Sequence, residues 1–496
     1  DGQFTVSISG GALPCVLRVT AADGSVLHSV ATGSGNTATA HITTASELVM
    51  AHLVGGAAAG AFSSFDATSL TDTKVQAALS AVGDTLKAAG VDVTALGNLL
   101  TAPLVAANGN TAGNDFDKAL DALKAKLVAS GTTLADLADR VGKGSPNLPP
   151  TALDNTASLP AAMMLQPAAD NCAYLRSGRY RAVLNTTGTT PATELLIVDA
   201  QKLTVTNSDG SISQLTANGT CRYRTSANGD ATVSAAGVIV AQADAGAPGS
   251  PLKGAVIFPE QTHPLASLAG DWNWIGLDRT EDNGPIHLTS TTVTLTAAGK
   301  VAAGSQCDNV LDCVSGSAAD FANLTFSANP AGGFDFSYGD ATDISRVFAY
   351  RSGGGELIWV MLSKNGHIQF ATRKVAGTLP AEGRVSEGLS LAFTPQYTAP
   401  FALSDFKNTI RSVDATASSF LRDAVTNITT GVTRPERFRI NQPRDGYSRR
   451  TGEVVTDSAG NASTVLDFVT LGLRGTGITA VAVLSNNQLV LSVNKP

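Results

Sequence analysis

The densest charge in the chain lies in an arginine-rich segment between residues 433 and 450, which contains six arginines and no lysine. In a β-strand, Phe438 and Ile440 face inward while Arg437 and Arg439 face outward. A guanidinium forms paired hydrogen bonds with carboxylates, so the segment predicts binding to an acidic glycan or a neighbouring subunit. Salt bridges within the chain are the alternative. The candidate partner-binding residues are Arg434, Arg437, Arg439, Arg444, Arg449 and Arg450.

The five cysteines indicate disulfide bonds in an oxidising compartment rather than a metal site. Cys307 and Cys313 enclose a short polar loop, and Cys172 and Cys221 each adjoin a strand rich in tyrosine and arginine. No pair has Cys-x-x-Cys spacing or a nearby histidine, so a zinc site is poorly supported. We expect two disulfides, Cys172–Cys221 and Cys307–Cys313, with buried free thiols as the alternative. Cys15 is the odd cysteine, either unpaired or joined to another molecule.

Motifs for catalysis are missing from the sequence. The six histidines are scattered, and no His-x-His or His-Glu-x-x-His spacing places two of them on one face. Neither a Gly-x-Ser-x-Gly nucleophile turn nor a phosphate-binding loop is present. The sequence therefore predicts no enzyme, no cofactor and no metal site. An enzyme of unrecognised type, with a site assembled from distant residues, is the alternative.

Composition indicates where the protein functions. The chain has 496 residues, which is enough for two to four domains, and 15% of them are charged, against about 25% in an average soluble protein. A surface of this kind is common in secreted bacterial β-proteins. The net charge of −7 is spread thinly, which excludes wholesale nucleic-acid binding. The most apolar helical stretch, Leu48 to Phe62, is too short to span a bilayer.

Residues 1–43 predict part of a β-domain. Phe4, Val6 and Ile8 alternate with polar residues directly after the Asp1-Gly2 turn, as in a half-buried strand. The stretch Asp1-Gly2-Gln3-Phe4-Thr5-Val6 resembles the carboxypeptidase-regulatory-like domains of secreted bacterial proteins, which implies a partial Ig-like sandwich. The partner of this strand is expected in an upstream segment or in another copy of the chain. We therefore take Phe4, Val6 and Ile8 as a candidate assembly strand.

Residues 44–145 show helical periodicity. One apolar face contains Val75, Leu79, Val82 and Leu86 behind a Thr71 cap, and two further faces follow it. The further faces contain Phe116, Leu120, Leu123 and Leu127, and then Leu134, Leu137 and Val141. These patterns predict a small helical bundle. A proline-rich linker is expected over residues 146–171.

From Cys172 onward, short strands alternate with Asn-Gly, Asp-Gly and Gly-Gly turns. This pattern predicts an antiparallel barrel-like or meander region over 172–375 and a C-terminal β-domain over 376–496 with one helix at 418–425. The stretch Ser177-Gly178-Arg179-Tyr180 is echoed by Ala269-Gly270-Asp271-Trp272. This echo suggests that the β-region consists of related modules, of which the first two share one barrel.

Gly270-Asp271-Trp272 resembles the first-strand signature of lipocalins, which implies a barrel with Trp272 and Trp274 at one end. A plain core position for these tryptophans is the alternative.

Much of the chain resembles uncharacterised secreted proteins or lipoproteins of β-proteobacteria, through 116–124, 434–436 and 441–447 in particular. The expected fold is mainly β with a helical domain. The expected function is that of an extracellular structural or adhesive protein at the outer cell surface, assembling head-to-tail into a fibre or layer by strand addition. A monomeric lipocalin-like module for a small apolar ligand or glycan is the alternative. Outer-membrane association is expected through a lipid anchor outside this chain.

Overall fold

The computed structural model divides into two compact units. The first comprises Asp1–Leu153, Leu159–Pro167 and Gly353–Gly355, and the second comprises Asp154–Ser158, Ala168–Ser352 and Glu356–Pro496. The structure describes residues 4–7, 9–10, 12–21, 24–33, 35–62, 65–144, 156–184, 192–225, 229–243, 253–279, 285–308, 310–340, 343–363, 367–393, 403–427 and 429–496. Helices dominate the first unit, whereas the second is built almost entirely from antiparallel strands.

The first unit contains six α-helices among its described residues, and their ends follow from local sequence. They are α1 Thr44–Val54, α2 Ala58–Ala61, α3 Asp72–Ala88, α4 Asp115–Ser130, α5 Leu134–Lys143 and α6 Ala161–Met164. Thr71 and Thr133 cap α3 and α5 by accepting a hydrogen bond from the backbone N–H three residues on. Gly131 ends α4 in the left-handed conformation that glycine adopts without strain.

The predicted helical faces form the core of the first unit. Val75, Val82 and Leu86 of α3 are buried together with Phe116 of α4 and Leu137 of α5. Leu123 and Val141 are buried in the same core, and the other predicted positions are partly buried around it. The prediction of a compact helical bundle is thus confirmed for this part of the chain.

A single hairpin precedes the helices. It pairs β1, Cys15–Thr20, with β2, Val26–Ala31, and Val30 of β2 is buried in the helical core. The described residues of this region form no second sheet. The partial Ig-like sandwich is therefore a wrong prediction for the described residues, because helix α1 covers the buried face of β2 where a sandwich would place another sheet.

The predicted linker is partly structured. Its first prolines lie outside the described residues, but Leu165 packs into the helical core and Thr132 donates a hydrogen bond to the Met164 carbonyl at 2.8 Å. Residues 168–169 form a short strand that pairs with residues 172–176. The described part of the predicted linker therefore contains regular structure.

Two nine-stranded antiparallel sheets make up residues 178–373 of the second unit. The first sheet has the order β8-β7-β6-β5-β13-β12-β11-β10-β9, and the second has the order β17-β16-β15-β14-β22-β21-β20-β19-β18. A small pair precedes them: β3 Ala168–Ala169 and β4 Cys172–Arg176.

The strands of the first sheet are β5 Gly178–Leu184, β6 Ala192–Asp199, β7 Thr204–Thr206, β8 Ile212–Gln214, β9 Thr216–Ala217, β10 Arg222–Arg224, β11 Asp230–Val233, β12 Ile239–Ala243 and β13 Lys253–Pro259. Those of the second are β14 Gly270–Arg279, β15 Ile286–Leu295, β16 Val301–Asp308, β17 Asp312–Ser315, β18 Thr325–Ala328, β19 Phe334–Ser337, β20 Ile344–Arg351, β21 Leu357–Leu362 and β22 Ile368–Arg373. Between β17 and β18 lies the short helix α7, Ala318–Phe321.

Eight strands between residues 385 and 494 form a closed barrel, with the order β23-β24-β25-β26-β27-β30-β31-β32. Its strands are β23 Val385–Phe393, β24 Leu403–Asp414, β25 Ser419–Asn427, β26 Val432–Ile440, β27 Tyr447–Arg450, β30 Phe468–Leu473, β31 Ile478–Val483 and β32 Gln488–Asn494. A separate hairpin of β28 Glu453–Thr456 and β29 Ala462–Val465 interrupts the series.

Two predictions for this region are corrected. The closed barrel lies at 385–494, whereas 172–375 forms two nine-stranded sheets and not one shared barrel. The helix predicted at 418–425 is strand β25, which pairs with β24 and β26 on its two sides. Barrel closure supplies hydrogen-bond partners on both edges of this segment, and that outweighs a weak helical pattern in its apolar residues.

The barrel has one buried wall and one exposed wall. Outward-facing residues of β23, β30, β31 and β32, such as Leu391, Leu471 and Leu491, belong to the same apolar cluster as Phe258 and Phe370 of the two sheets. The outward-facing side chains of β24 and β26, in contrast, are largely exposed. The barrel is therefore anchored to the sheets by β23 and β30–β32 and presents β24–β26 to solvent.

Candidate functional site

The arginine-rich segment forms strands β26 and β27 and distributes its side chains between the two sides of the barrel wall. Phe438 is buried inside, and Arg437 and Arg439 are exposed outside, as alternation predicts. Neither exposed arginine contacts a carboxylate among the residues that the structure describes. Arg434 lies on the inner side of the same strand. The segment thus contributes to two different surfaces.

Inside the barrel, Glu436 is surrounded by three guanidinium groups. Arg422 of β25 donates to Glu436 Oε2 from Nε at 2.9 Å and from Nη2 at 2.7 Å. Arg434 Nη2 donates to Oε1 at 2.7 Å, and Arg450 Nη1 contacts the same oxygen. The Glu436 side chain is 2% exposed. We call Arg422, Arg434, Glu436 and Arg450 the barrel cluster.

The neighbouring arginines set the pKa of Glu436 in the barrel cluster. Burial would raise the pKa of Glu436, but the positive charges of Arg422 and Arg450 and the hydrogen bonds from Arg434 and Arg422 outweigh it, leaving a pKa of about 2. Burial lowers the pKa of Arg450 to about 10, against the opposing effect of Glu436. Near neutral pH Glu436 and Arg450 are therefore both ionised.

Aromatic rings hold two of these arginines in place. Arg450 Cζ lies 3.7 Å from the centre of the Phe468 ring, and Arg422 Cζ lies 4.4 Å from that of Phe438. Arg450 Nε also donates to the Leu466 carbonyl at 2.9 Å. Stacking of this kind restricts the guanidinium planes, so their donors point in defined directions.

The other two arginines of the segment are engaged within the chain. Arg444 Nη2 donates to Ser290 Oγ at 2.7 Å, and its Nη1 lies against the sulfurs of Cys307 and Cys313. Arg449 pairs with Asp467 at 3.0 Å. The salt-bridge alternative therefore describes Arg434, Arg449 and Arg450, and partner binding stays a prediction for the exposed pair.

Both predicted disulfides are present. Cys172 bonds to Cys221, and Cys307 bonds to Cys313 directly across the β16–β17 pair. Cys15 has a free thiol and lies partly exposed at the start of β1. The pairing expected from sequence is confirmed, and the thiol of Cys15 is accessible to a second molecule.

Trp272 and Trp274 are buried in the core of the second sheet. Trp274 packs against Trp359 with ring centres 5.2 Å apart, and its carbonyl accepts a hydrogen bond from Tyr447 at 2.8 Å. Their strand, β14, lies in the middle of a nine-stranded sheet, and an isolated bridge links the residue before β16 to β18. The lipocalin-like barrel position of these tryptophans stays a prediction. Two surface depressions, of about 370 and 540 Å³, contain charged residues and neither tryptophan.

The predicted assembly strand is not a strand in this structure. Residues 4–7 have irregular backbone, with Phe4 58% and Val6 66% exposed, and Ile8 lies outside the described residues. The outer edge of β1 has no strand partner among the described residues. A strand forms only where its hydrogen bonds are met, so this segment is irregular without a neighbour.

Two features are absent from the described residues: a cluster of metal-ligating side chains and a helix able to cross a bilayer. No group of three or more histidine, cysteine, aspartate or glutamate side chains is arranged to hold a metal ion there. Among the helices described above, none combines the length and apolar character needed to cross a bilayer.

The sequence analysis does not single out Glu436 or Arg422 as members of the barrel cluster. Arg422 lies inside the helix that the sequence predicts at 418–425. The available signal was the alternation of Arg434, Glu436 and Phe438, which places two charged side chains on the same strand face as a buried ring. Charged residues at inward positions of a strand indicate a polar barrel interior.

Comparisons with known proteins do not assign the chain to a family. No protein family and no curated protein matches the chain. The crystal structure of the isotype 1 transferrin binding protein B from serogroup B Neisseria meningitidis matches 64% of this chain and 76% of that chain, at 8% identity and a TM-score of 0.17. A likeness at this level carries no conclusion about fold or function.

Proposed function

We propose that the protein is an extracellular cell-surface protein with a structural or adhesive role. The two disulfides are the observation that carries this proposal. Stable disulfides form in secreted and surface proteins and are rare in reducing compartments. They belong to different sheets of the second unit, so oxidation affects this unit at two separate places. The weakly charged, β-rich composition supports the same environment.

Assembly between copies is the more specific part of the proposal. Phe4 and Val6 are exposed apolar side chains at alternate positions, and the outer edge of β1 lacks a partner among the described residues. Residues 4–7 of a second copy, added as a strand to the outer edge of β1, would form the missing main-chain hydrogen bonds and bury their Phe4 and Val6 side chains. Such a contact runs head-to-tail and extends into a fibre when its rotation does not close.

Adhesion through the exposed barrel wall is the second part. Arg437 and Arg439 extend from β26 into solvent, on a wall that the protein's own core leaves free. Two guanidinium groups at alternate positions of one strand match carboxylates or sulfates on an acidic glycan or a neighbouring subunit. The closed barrel provides a rigid support for that contact.

Surface labelling of intact producing cells tests the proposal. A membrane-impermeant, amine-reactive biotin ester should label the protein without lysis, while a cytoplasmic protein measured in parallel stays unlabelled. Peptide mapping without reduction should recover both disulfides from the same cells. Labelling only after lysis, or recovery of the four cysteines as free thiols, would refute an extracellular role.

A further inference from the structure

We propose that the interior of the closed barrel is an anion-binding site, in which Arg422, Arg434 and Arg450 bind a carboxylate, sulfate or phosphate group beside Glu436. The inference rests on the geometry of the barrel and is independent of the surface role proposed above. It concerns the inward face of β25, β26 and β27, opposite to the exposed arginines of the outer wall.

Charge is the first argument. Three guanidinium groups surround one carboxylate, which leaves a formal excess of two positive charges in the barrel cluster. By the strand register, the other described inward positions hold serine, threonine, asparagine, glutamine, glycine and apolar residues, and no second carboxylate. Asp423, the nearest acid in sequence, pairs with Arg411 on the other side of the wall. Buried charge of one sign favours a counter-ion.

Unused hydrogen-bond donors are the second argument. Arg450 is 1% exposed, yet its Nη2 has no hydrogen-bond acceptor in the described part of the chain, and the same holds for Arg434 Nε. Both Glu436 oxygens are already in contact with guanidinium groups. The remaining donors therefore need a second acceptor, and an oxyanion satisfies several of them at once.

Access and order are the third argument. The side chains of Arg422 and Arg434 are each 25% exposed, so solvent and small ions reach the barrel cluster. The rings of Phe438 and Phe468 fix the planes of Arg422 and Arg450. A site whose donors are held in place before binding loses less conformational entropy when the anion arrives.

Calorimetric titration of the full chain with sodium sulfate, and separately with sodium phosphate, tests the site. We expect saturable binding of one ion per chain. Arg434→Gln should weaken it about tenfold or more, because one charged hydrogen-bond donor is lost. Arg411→Gln is the matched control, and it should leave the affinity unchanged because this arginine pairs with Asp423 on the outer side of the barrel wall.

The Glu436→Gln variant should change the affinity for sulfate in the opposite direction. Removing the negative charge while keeping the side-chain shape should strengthen sulfate binding, whereas a purely structural role for Glu436 predicts weaker binding. Circular dichroism identifies the variants that are folded, and Arg422→Gln replaces Arg434→Gln if the latter does not fold. Absence of saturable binding to the wild-type chain, or equal loss in Arg434→Gln and Arg411→Gln, would overturn the proposal.

A sulfated disaccharide, titrated in the same way, distinguishes the source of the anion. Tighter binding than that of free sulfate, with the same dependence on Arg434, assigns the site to the terminal group of an acidic glycan. Equal or weaker binding of the disaccharide, beside saturable binding of sulfate, assigns it to a free ion. Both results support the site itself and differ only in what occupies it.

Discussion

Tyr180 and Trp272 occupy equivalent positions in the two nine-stranded sheets. Each is the third residue of a strand that begins at a glycine with positive φ, Gly178 or Gly270. Tyr180 Oη donates to the carbonyl four residues earlier at 2.8 Å, and Trp272 Nε1 does the same at 2.7 Å. Both side chains are fully buried. A tyrosine in one sheet and a tryptophan in the other therefore form the same type of hydrogen bond, to the carbonyl four residues earlier.

The two sheets also share their strand order, since adding nine to each strand number of the first reproduces the second. In the first sheet β5 lies between β6 and β13, and in the second sheet β14 lies between β15 and β22 in the same way. The echo between 177–180 and 269–272 in the sequence thus corresponds to a repeated nine-stranded unit. We infer that the second unit contains two copies of one β-module followed by the barrel.

Removing this local bond should destabilise both modules. Tyr180→Phe removes the hydrogen bond from Tyr180 Oη to the Arg176 carbonyl and should lower the free energy of unfolding by about 0.5–1.5 kcal/mol. Trp272→Phe loses the same bond and leaves a cavity, so its loss should be larger. Denaturant unfolding followed by circular dichroism measures both.

Tyr174→Phe is the control for this comparison, because its hydroxyl has no hydrogen-bond partner in the described part of the chain. Its free energy of unfolding should match that of the wild type. A loss for Tyr174→Phe as large as that for Tyr180→Phe would show that the local hydrogen bond contributes nothing specific.

Stability should fall in acid as Glu436 becomes protonated. Its pKa is about 2 in the folded protein and ordinarily 4.5, so between these values the unfolded chain binds more protons. The contribution of Glu436 is therefore complete above about pH 4.5 and disappears as the pH falls through 2. Unfolding experiments over this pH range measure it.

Glu436→Gln should remove that part of the acid dependence. At neutral pH this variant should be less stable by about 3–5 kcal/mol, since three buried or half-buried arginines lose their carboxylate. The difference from wild type should shrink as the pH approaches 2. A difference that stays constant over the whole range would contradict the ionised state assigned to Glu436.

Head-to-tail assembly should depend on the N-terminal apolar side chains. Burial of Phe4 and Val6 contributes about 3–6 kcal/mol before ordering costs, so Phe4→Ser combined with Val6→Ser should convert assemblies into monomers. Multi-angle light scattering over a concentration series measures the mass. Val454→Ser, which changes an equally exposed valine in the β28–β29 hairpin, is the control.

Two observations would contradict this assembly. A wild-type chain that stays monomeric at every concentration excludes it. So does an assembly whose mass is unaffected by Phe4→Ser with Val6→Ser. Either result would leave the adhesive part of the proposed function unaffected, because that part depends on the barrel.

The exposed arginines should contribute to partner contact more than to folding. Arg437→Ala combined with Arg439→Ala should weaken adsorption to an immobilised sulfated glycan while leaving the melting temperature near that of wild type. Arg449→Ala, which breaks the Arg449–Asp467 pair at 3.0 Å, serves as the comparison. Unchanged adsorption with a lowered melting temperature would assign the exposed pair a structural role instead.

Local sequence was sufficient for the helices of the first unit. Thr71, Thr133 and Gly131 are caps whose preferences act within one turn, so they mark helix ends without reference to the rest of the chain. Turn dipeptides and period-two alternation likewise identified most of the β-region. Such signals depend on neighbours in sequence, and they hold in any tertiary context that does not oppose them.

Strand partners and the barrel cluster depended on tertiary structure. Residues 419–427 are a strand because β24 and β26 lie beside them, and only closure of the barrel supplies both. Arg422 and Arg450 each stand 14 residues from Glu436, a separation that no helix or single strand brings into contact. The sequence by itself determined which segments alternate and where they turn. Register and closure decided which charges meet, because pairing across strands is a non-local property.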